Sequence, residues 1–514
     1  MLRFSVLKTN YRSAVVCCLL LALCSLLLAP IQSKSQVKYE MEAQAIGTTN
    51  GVVPFWMRSN QYGSIPITGA STSFLGRAVK EYNFKSDSLN HRKLWDWGMG
   101  FEARINSNVK NNEFILTEGY LKGKLGPFEI KAGRSKETMG LTGDSSLTSG
   151  SFAISGNALG IPKIDISIPK YFKLPILSGV ISLKGSFSHG WIGTTPTNDT
   201  INKVPMLDNF ATTYFHQKSL YGKIGKPSWR INLLGGINHQ VFWSNEAKLY
   251  GKGYSLTPFG TFMHVVTGRP YGNEVIPRSK IGNQLGSIDG SFELRLNKLI
   301  LVGYRQNIYD VGALFRLANL RDGLNGLSIR NLSNTKSNLT WNTIVFEVLN
   351  TTNQAGETWS KLTNSGDEDY YNNYFYLQGW SYSESSLGTP FITLKRDARE
   401  GLTTDPNDRF VNNRVTVFHL GTEISLNQWR LKAKLSTSKN KGTFATSEGG
   451  RSRGSERFPP RYGVFSAKHQ TSAYTKAVRQ LKNGMSFMVV VAIDRGGLLY
   501  DSYGMLLGLS KSFY

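Results

Sequence analysis

Tyr500-Asp-Ser-Tyr-Gly-Met-Leu-Leu-Gly-Leu-Ser-Lys-Ser-Phe513-Tyr514 closes the chain and decides its fold. Met505, Leu507, Leu509 and Phe513 share one face, and Gly504, Gly508, Ser510 and Ser512 share the other. That period of two is what a strand shows between lipid and a polar interior. Lys511 interrupts the apolar face, and Tyr514 is out of phase with it. An amphipathic strand ending on aromatics is what an outer-membrane β-barrel presents to the barrel assembly machinery, which is therefore an expected partner.

The other end agrees. Arg3, Lys8 and Arg12 precede an uncharged stretch from Ser13 to Ser33, with small residues at Ser33 and Ser35. This describes a secretory signal peptide over 1–35, leaving 36–514 as one barrel domain. Cys17, Cys18 and Cys24 all fall in the leader, so the mature chain has no thiol for disulfides, thiolate metal sites or cysteine catalysis. Leu23 argues against a lipid anchor at Cys24. No later stretch has about 18 consecutive apolar residues, which excludes helical spanning. A barrel leaves no such trace, because only alternate residues meet lipid. The mean hydropathy of -0.25 is compatible with that.

Gly 52, Tyr 23, Phe 27 and Trp 10 in 514 residues suit tight strands and interfacial girdles. The formal charge of +25 falls slightly with the leader, which carries only cations. An exported chain meets little nucleic acid, so none is expected as a partner. Lipid A phosphates of lipopolysaccharide and acidic surface polysaccharides are the expected counter-charges.

Strand candidates recur from about Tyr39 without a linker. Trp97, Met99, Phe101, Ala103 and Ile105 oppose Gly98, Gly100, Glu102, Arg104 and Asn106. The stretches around Ile181–Trp191, Phe292–Leu296 and Trp429–Leu435 alternate likewise. If the apolar sides face lipid, Arg104, Lys184, Arg295, Arg430, Lys432 and Lys434 line the lumen against few acids, predicting a polar, net basic interior. Trp97, Trp191, Trp243 and Trp429 suit aromatic belts. Helical spacing marks Phe259, Phe262, Met263 and Val266, and also Val311 to Leu320. The segment from Thr351 to Asn413 is long, polar and aromatic, and is expected to be an extracellular, ligand-facing loop.

The histidines His91, His189, His216, His239, His264, His419 and His469 show no metal-ligand spacing. Ser188 and His189 are adjacent, so in a strand they point to opposite faces. No GxSxG, phosphate loop or dinucleotide fingerprint is present. No enzyme, metal or cofactor is expected.

Several strings go further. They are Pro54-Phe-Trp-Met-Arg-Ser-Asn-Gln-Tyr-Gly63, Ser151-Phe-Ala-Ile-Ser-Gly-Asn-Ala-Leu-Gly-Ile-Pro-Lys163, His216-Gln-Lys-Ser-Leu-Tyr-Gly-Lys-Ile-Gly-Lys-Pro-Ser-Trp229, Gly235-Gly-Ile-Asn-His-Gln-Val-Phe-Trp243, Gly282-Asn-Gln-Leu-Gly-Ser-Ile-Asp289 and Asp322-Gly-Leu-Asn-Gly-Leu-Ser328. In this order they resemble the Wzi-type capsule assembly family in its Bacteroidetes form. The resemblance implies an all-β fold: a transmembrane antiparallel β-barrel of about 18 strands, monomeric, its lumen occluded by loops and short helices. It also implies a surface lectin that holds and organises capsular polysaccharide without turnover. The alternatives are a porin or export channel with a basic lumen and, further off, a barrel phospholipase. Candidate carbohydrate-binding residues are Arg58, Asn60, His216, Lys218, Asn238 and His239 in the motif strings, and Trp359, Tyr370, Trp380 and Tyr382 in the long loop. For the first group, and for Asn157, an internal network plugging the barrel is an equal reading.

Overall fold

The structure, a computed structural model, describes residues 37–82, 95–108, 112–141, 146–198, 210–274, 276, 278–310, 313–333, 337–355, 368–453 and 456–513. The leader lies outside them. The barrel strands are β1 (Val37–Thr48), β2 (Ser71–Lys80), β3 (Trp95–Asn108), β4 (Asn112–Leu125), β5 (Phe128–Arg134), β6 (Lys163–Lys173), β7 (Ile181–Pro196), β8 (Phe210–Ile224) and β9 (Ile231–Trp243). They continue as β10 (Asn283–Arg295), β11 (Leu299–Tyr309), β12 (Gly323–Asn331), β13 (Leu339–Asn350), β14 (Val415–Leu426), β15 (Trp429–Asn440), β16 (Lys468–Gln480), β17 (Met485–Gly496) and β18 (Ser502–Phe513).

Each strand pairs antiparallel with the next, in one 18-stranded sheet. The C-terminal strand closes it against β1, with Tyr39 opposite Phe513 and Thr48 opposite Gly504. Closure satisfies every edge, as a lipid-exposed sheet requires.

The alternation seen in the sequence sets the two faces. On β3, Phe101 and Ile105 point outward, whereas Gly100, Glu102, Arg104 and Asn106 are buried within. Trp97 is 45% exposed on the lipid side, and Trp95 and Trp229 join it at the same end of the barrel. On β18, Met505 and Leu507 are exposed, but Leu506 faces inward and packs with Met57 and Ile46. The lumen is therefore not uniformly polar.

Connections are asymmetric. At one end they are as short as 126–127, 296–298 and 427–428; at the other lie 49–70, 135–162, 244–282, 351–414 and 441–467. Short turns belong to the periplasmic side and long loops to the extracellular side.

Three of the long connections turn into the barrel. Helix α1 (Phe55–Arg58), the segment 135–162 and the segment 368–413 fill the lumen with apolar clusters. Phe152, Tyr370, Tyr371, Tyr376, Trp380 and Phe410 form the centre of the largest cluster. The expected extracellular, ligand-facing loop is thus largely a plug. Its aromatics bury more area against one another than they could at the surface.

The lumen also differs from the net basic lining predicted against few acids. Glu102, Glu118, Asp165, Asp289, Glu347 and Asp494 are all buried there, while Arg430 is largely exposed at the periplasmic end beside Glu423. These acids hold the plug. Asp494 accepts from the Phe55 amide at 2.6 Å, Asp289 from Leu141 at 3.1 Å, Glu347 from Ser149 at 2.6 Å and Glu118 from Lys136 at 3.1 Å. Irregular backbone has donors that no ladder satisfies, and a wall carboxylate supplies a charge-assisted acceptor.

Candidate functional site

Helix α2 (Glu246–Tyr250) and helix α3 (Pro258–Thr267) belong to the connection that follows β9. The helical spacing at Phe259 to Val266 is realised in α3, capped by the Thr257 hydroxyl on the Gly260 amide at 3.1 Å and stopped by Gly268 at φ 67°. Val311 to Leu320 forms only a short 3-10 turn at Leu314–Arg316, because Leu317 is left-handed and ends it; 311–312 lie outside the described residues.

Helix α3 lies on the outer wall, not in the lumen. Val265 packs on Val241 with Ile281, and Phe262 packs near His189, His216 and Trp243. Three of the residues singled out in the sequence sit beneath it. His216 and Lys218 share the outward parity of Leu220, and His239 that of Ile237. Lys218 Nζ donates to the Val266 carbonyl, and His239 Nε2 is 3.0 Å from Gln284 Oε1. Ser188, by contrast, points inward and donates to Asp165 at 2.5 Å, so it and His189 occupy opposite faces.

The remaining motif residues are inside. Asn238 Nδ2 donates to Ser287 Oγ at 2.7 Å. Arg58 pairs with Asp397 at 3.1 Å. Asn60 donates its amide to Asn157 Oδ1 at 3.0 Å, and Asn157 donates in turn to the Ser386 carbonyl at 3.2 Å. These side chains stitch α1, 135–162 and 368–413 together. The motif residues therefore do not converge: a network inside and a helix-covered patch outside are separated by the wall.

Of the loop aromatics, Tyr370 and Trp380 are completely buried. Tyr370 donates to Asp322 Oδ2 at 2.9 Å, and Trp380 stacks on Phe242 at 4.6 Å while donating to the Ala153 carbonyl at 2.8 Å. As surface ligand contacts these two are corrected: their polar atoms are used in the plug. Burial pushes the Asp322 carboxyl up to about 6, against the amides of Asn353 and Gln354 and the Tyr370 hydroxyl that favour its charge. Tyr382 is partly exposed and accepts from Arg134 Nη2 at 2.9 Å. Trp359 lies outside the described residues.

A different constellation opens to the extracellular side. A cleft of about 880 Å³ is lined by Arg321, Arg414, Lys439, Lys441, Phe444 and Glu448, together with other residues of 447–450 and 464–467. The two-residue turn at Asn427–Gln428 starts the hairpin of β14 and β15, whose register runs to Val415 opposite Asn440. One step further puts Arg414 beside Lys441. The Arg414 guanidinium lies 4.0 Å over the Phe444 ring. Burial, then the charges of Arg414 and Lys439, push the Lys441 ammonium below its ordinary value. Among the described residues, no carboxylate forms an ion pair with Arg321, Lys439 or Lys441. Clustered like charges of this kind raise the local concentration of anions. None of these cations stood out in the sequence, where each reads as an isolated surface charge.

Comparison with known proteins now bears on identity. A family model described as capsule assembly protein Wzi matches residues 71–404. The chain belongs to that family. The match runs from β2 through most of the plug, so Arg321 lies within it and Arg414, Lys439 and Lys441 lie beyond it. No curated protein matches. Similar solved structures include Pseudomonas aeruginosa OccK10 (OpdN), with 9% identity, TM-score 0.42 and 93% of this chain and 99% of that one covered. Pseudomonas aeruginosa OccK5 (OpdH) gives 7% and 0.42 over 93% and 98%, and Acinetobacter baumannii OccAB4 gives 8% and 0.41 over 93% and 99%. The closed barrel with its lipid-facing belt and the family together make this an outer-membrane protein with a capsule-related role.

Proposed function

We propose that this barrel retains an acidic capsular polysaccharide at the cell surface, binding it in the extracellular cleft without turning it over. The observation that carries the reading is the clustering of Arg321, Arg414, Lys439 and Lys441 around one extracellular opening. Carboxylate or phosphate groups of a polysaccharide would meet these cations in charge-assisted hydrogen bonds, and a sugar face would meet Phe444. The plug supports this reading over a porin or export channel, since three extracellular connections occupy the path a solute would take.

The test is retention of the organism's purified surface polysaccharide by the detergent-solubilised protein at low and high salt, with an unrelated barrel as control. Selective retention that weakens with salt is expected, because exposed charges are screened. Equal retention by both barrels, or none with the fold shown intact by heat-modifiable gel mobility, would sink the reading. Single-channel conductance in planar bilayers addresses the alternative and is expected to be absent.

A further inference from the structure

The cleft has a neighbour on the lipid-facing wall. An open groove of about 960 Å³ runs across the outward side of the strands from β9 to β16 and is lined by Phe292, Leu327, Phe346, Phe418 and Leu435 among others. Its floor is low at Gly290, an outward position that lacks a side chain. A Cβ at Gly290 would meet nothing within 4 Å, whereas the Phe292 ring lies over Gly303 on the next strand and forms one side of the hollow. Its volume falls in the range of ligand pockets, with one side open toward lipid.

The groove and the cleft share strands and a face. Val348 and Asn350 are two residues apart on β13, as are Phe418 and Thr416 on β14 and Thr437 and Lys439 on β15; the first of each pair lines the groove, and Asn350 and Lys439 line the cleft. Alternate residues point the same way and two residues rise about 7 Å, so the cationic opening stands directly above the apolar hollow, on its extracellular side. Arg305 marks the boundary: it lines the groove, and its guanidinium donates to Asn307 and Asn325 at 2.7 Å and to the Asp322 carbonyl at 3.2 Å. An apolar volume at membrane depth beneath a cluster of cations matches an amphiphile with several acyl chains and more than one negative charge on its head. A free polysaccharide would use only the upper part.

We propose that groove and cleft form one site for an acidic, multiply acylated glycolipid of the outer leaflet, its charged saccharide head in the cleft and acyl chains in the groove. The proposal rests on the cleft's being the anion-binding site and adds that what it grips is the lipid-bearing end of a surface glycan.

The test uses the full-length protein in phosphatidylcholine nanodiscs and two probes: diphosphorylated, hexa-acylated lipid A and the same disaccharide bisphosphate after removal of its acyl chains. Binding is read by native mass spectrometry for the wild type, for Gly290→Phe, which fills the groove where space is open, and for Lys439→Gln with Lys441→Gln. The wild type is expected to retain the acylated probe at least about tenfold better than the deacylated one. Gly290→Phe should lose about tenfold for the acylated probe and leave polysaccharide retention unchanged, while the double variant loses both. Equal binding of the acylated probe by wild type and Gly290→Phe, or equal binding of both probes by the wild type, would overturn the proposal while leaving the cleft as a polysaccharide site. Unchanged polysaccharide retention by the double variant would overturn both.

Discussion

Inside the barrel Lys163 meets Glu137 and Lys136 meets Glu102 at 2.5 Å, whereas at the outer rim Lys439 and Lys441 stand beside Arg414 with no ion-paired carboxylate of their own among the described residues. Burial explains the difference. A charge taken out of water must be paired or it costs several kcal/mol, so the lumen balances its cations with acids and spends those acids on plug amides. At the rim, solvent compensates much of the cationic charge. Charge within the wall is paired and holds the plug, while charge above it carries no such pairing among the described residues.

The largest loss is expected at Trp380. Truncating it to Ala removes the stack on Phe242 and the bond to the Ala153 carbonyl, and is expected to cost about 3–5 kcal/mol. Most of that should appear as loosening of the plug. The measurement is bilayer conductance together with proteolysis of the 368–413 segment; a variant that stays closed and resistant would show that other plug contacts suffice without it.

Glu246 comes next. Burial pushes its carboxyl up to about 7, opposed by the Tyr376 hydroxyl and the Ser244 amide, which both donate to it. A carboxyl with a raised folded-state pKa holds its proton more tightly folded than unfolded. Its ionisation therefore costs stability progressively from pH 4.5 up to about 7, and in full above that. The cost is at most about 3 kcal/mol. Glu246→Gln keeps an acceptor and cannot ionise, so the fall in unfolding temperature between pH 5 and pH 8 should shrink. A variant that falls as steeply as the wild type would contradict this.

Glu347→Ala sharpens the account of the plug acids. It leaves the Ser149 amide and the Tyr304 hydroxyl, which donates at 2.5 Å, without their acceptor, at an expected cost of about 1–3 kcal/mol. Denaturant unfolding of the solubilised barrel measures it. The smallest effect on stability belongs to the rim: Lys439→Gln should change it by less than about 0.5 kcal/mol, and a clearly larger loss would mean that the cleft serves the fold.

Much of the barrel was legible because lipid and lumen impose a period of two that Trp97 to Ile105 and Met505 to Leu509 display directly. Leu506 and Met57 escape that logic, since an apolar residue turned inward needs a plug to meet it, and parity says nothing of plugs. Tyr370 and Trp380 misled for a related reason: an aromatic-rich connection looks the same whether it faces solvent or folds back into a cavity, and only tertiary packing decides. His216 and His239 show outward parity in the sequence, but nothing there announced that α3 would cover them. The cleft was within reach by hairpin arithmetic, because a two-residue turn at Asn427–Gln428 places Arg414 opposite Lys441.

Binding of the organism's purified surface polysaccharide to Arg414→Gln/Lys439→Gln/Lys441→Gln, set against Trp380→Ala and the wild type at low salt, tests the division between rim and lumen most directly. The rim variant should lose at least about tenfold in affinity with its heat-modifiable mobility intact, while Trp380→Ala binds like the wild type. Undiminished binding by the rim variant, with binding lost when the plug is loosened, would place recognition in the lumen and contradict the account.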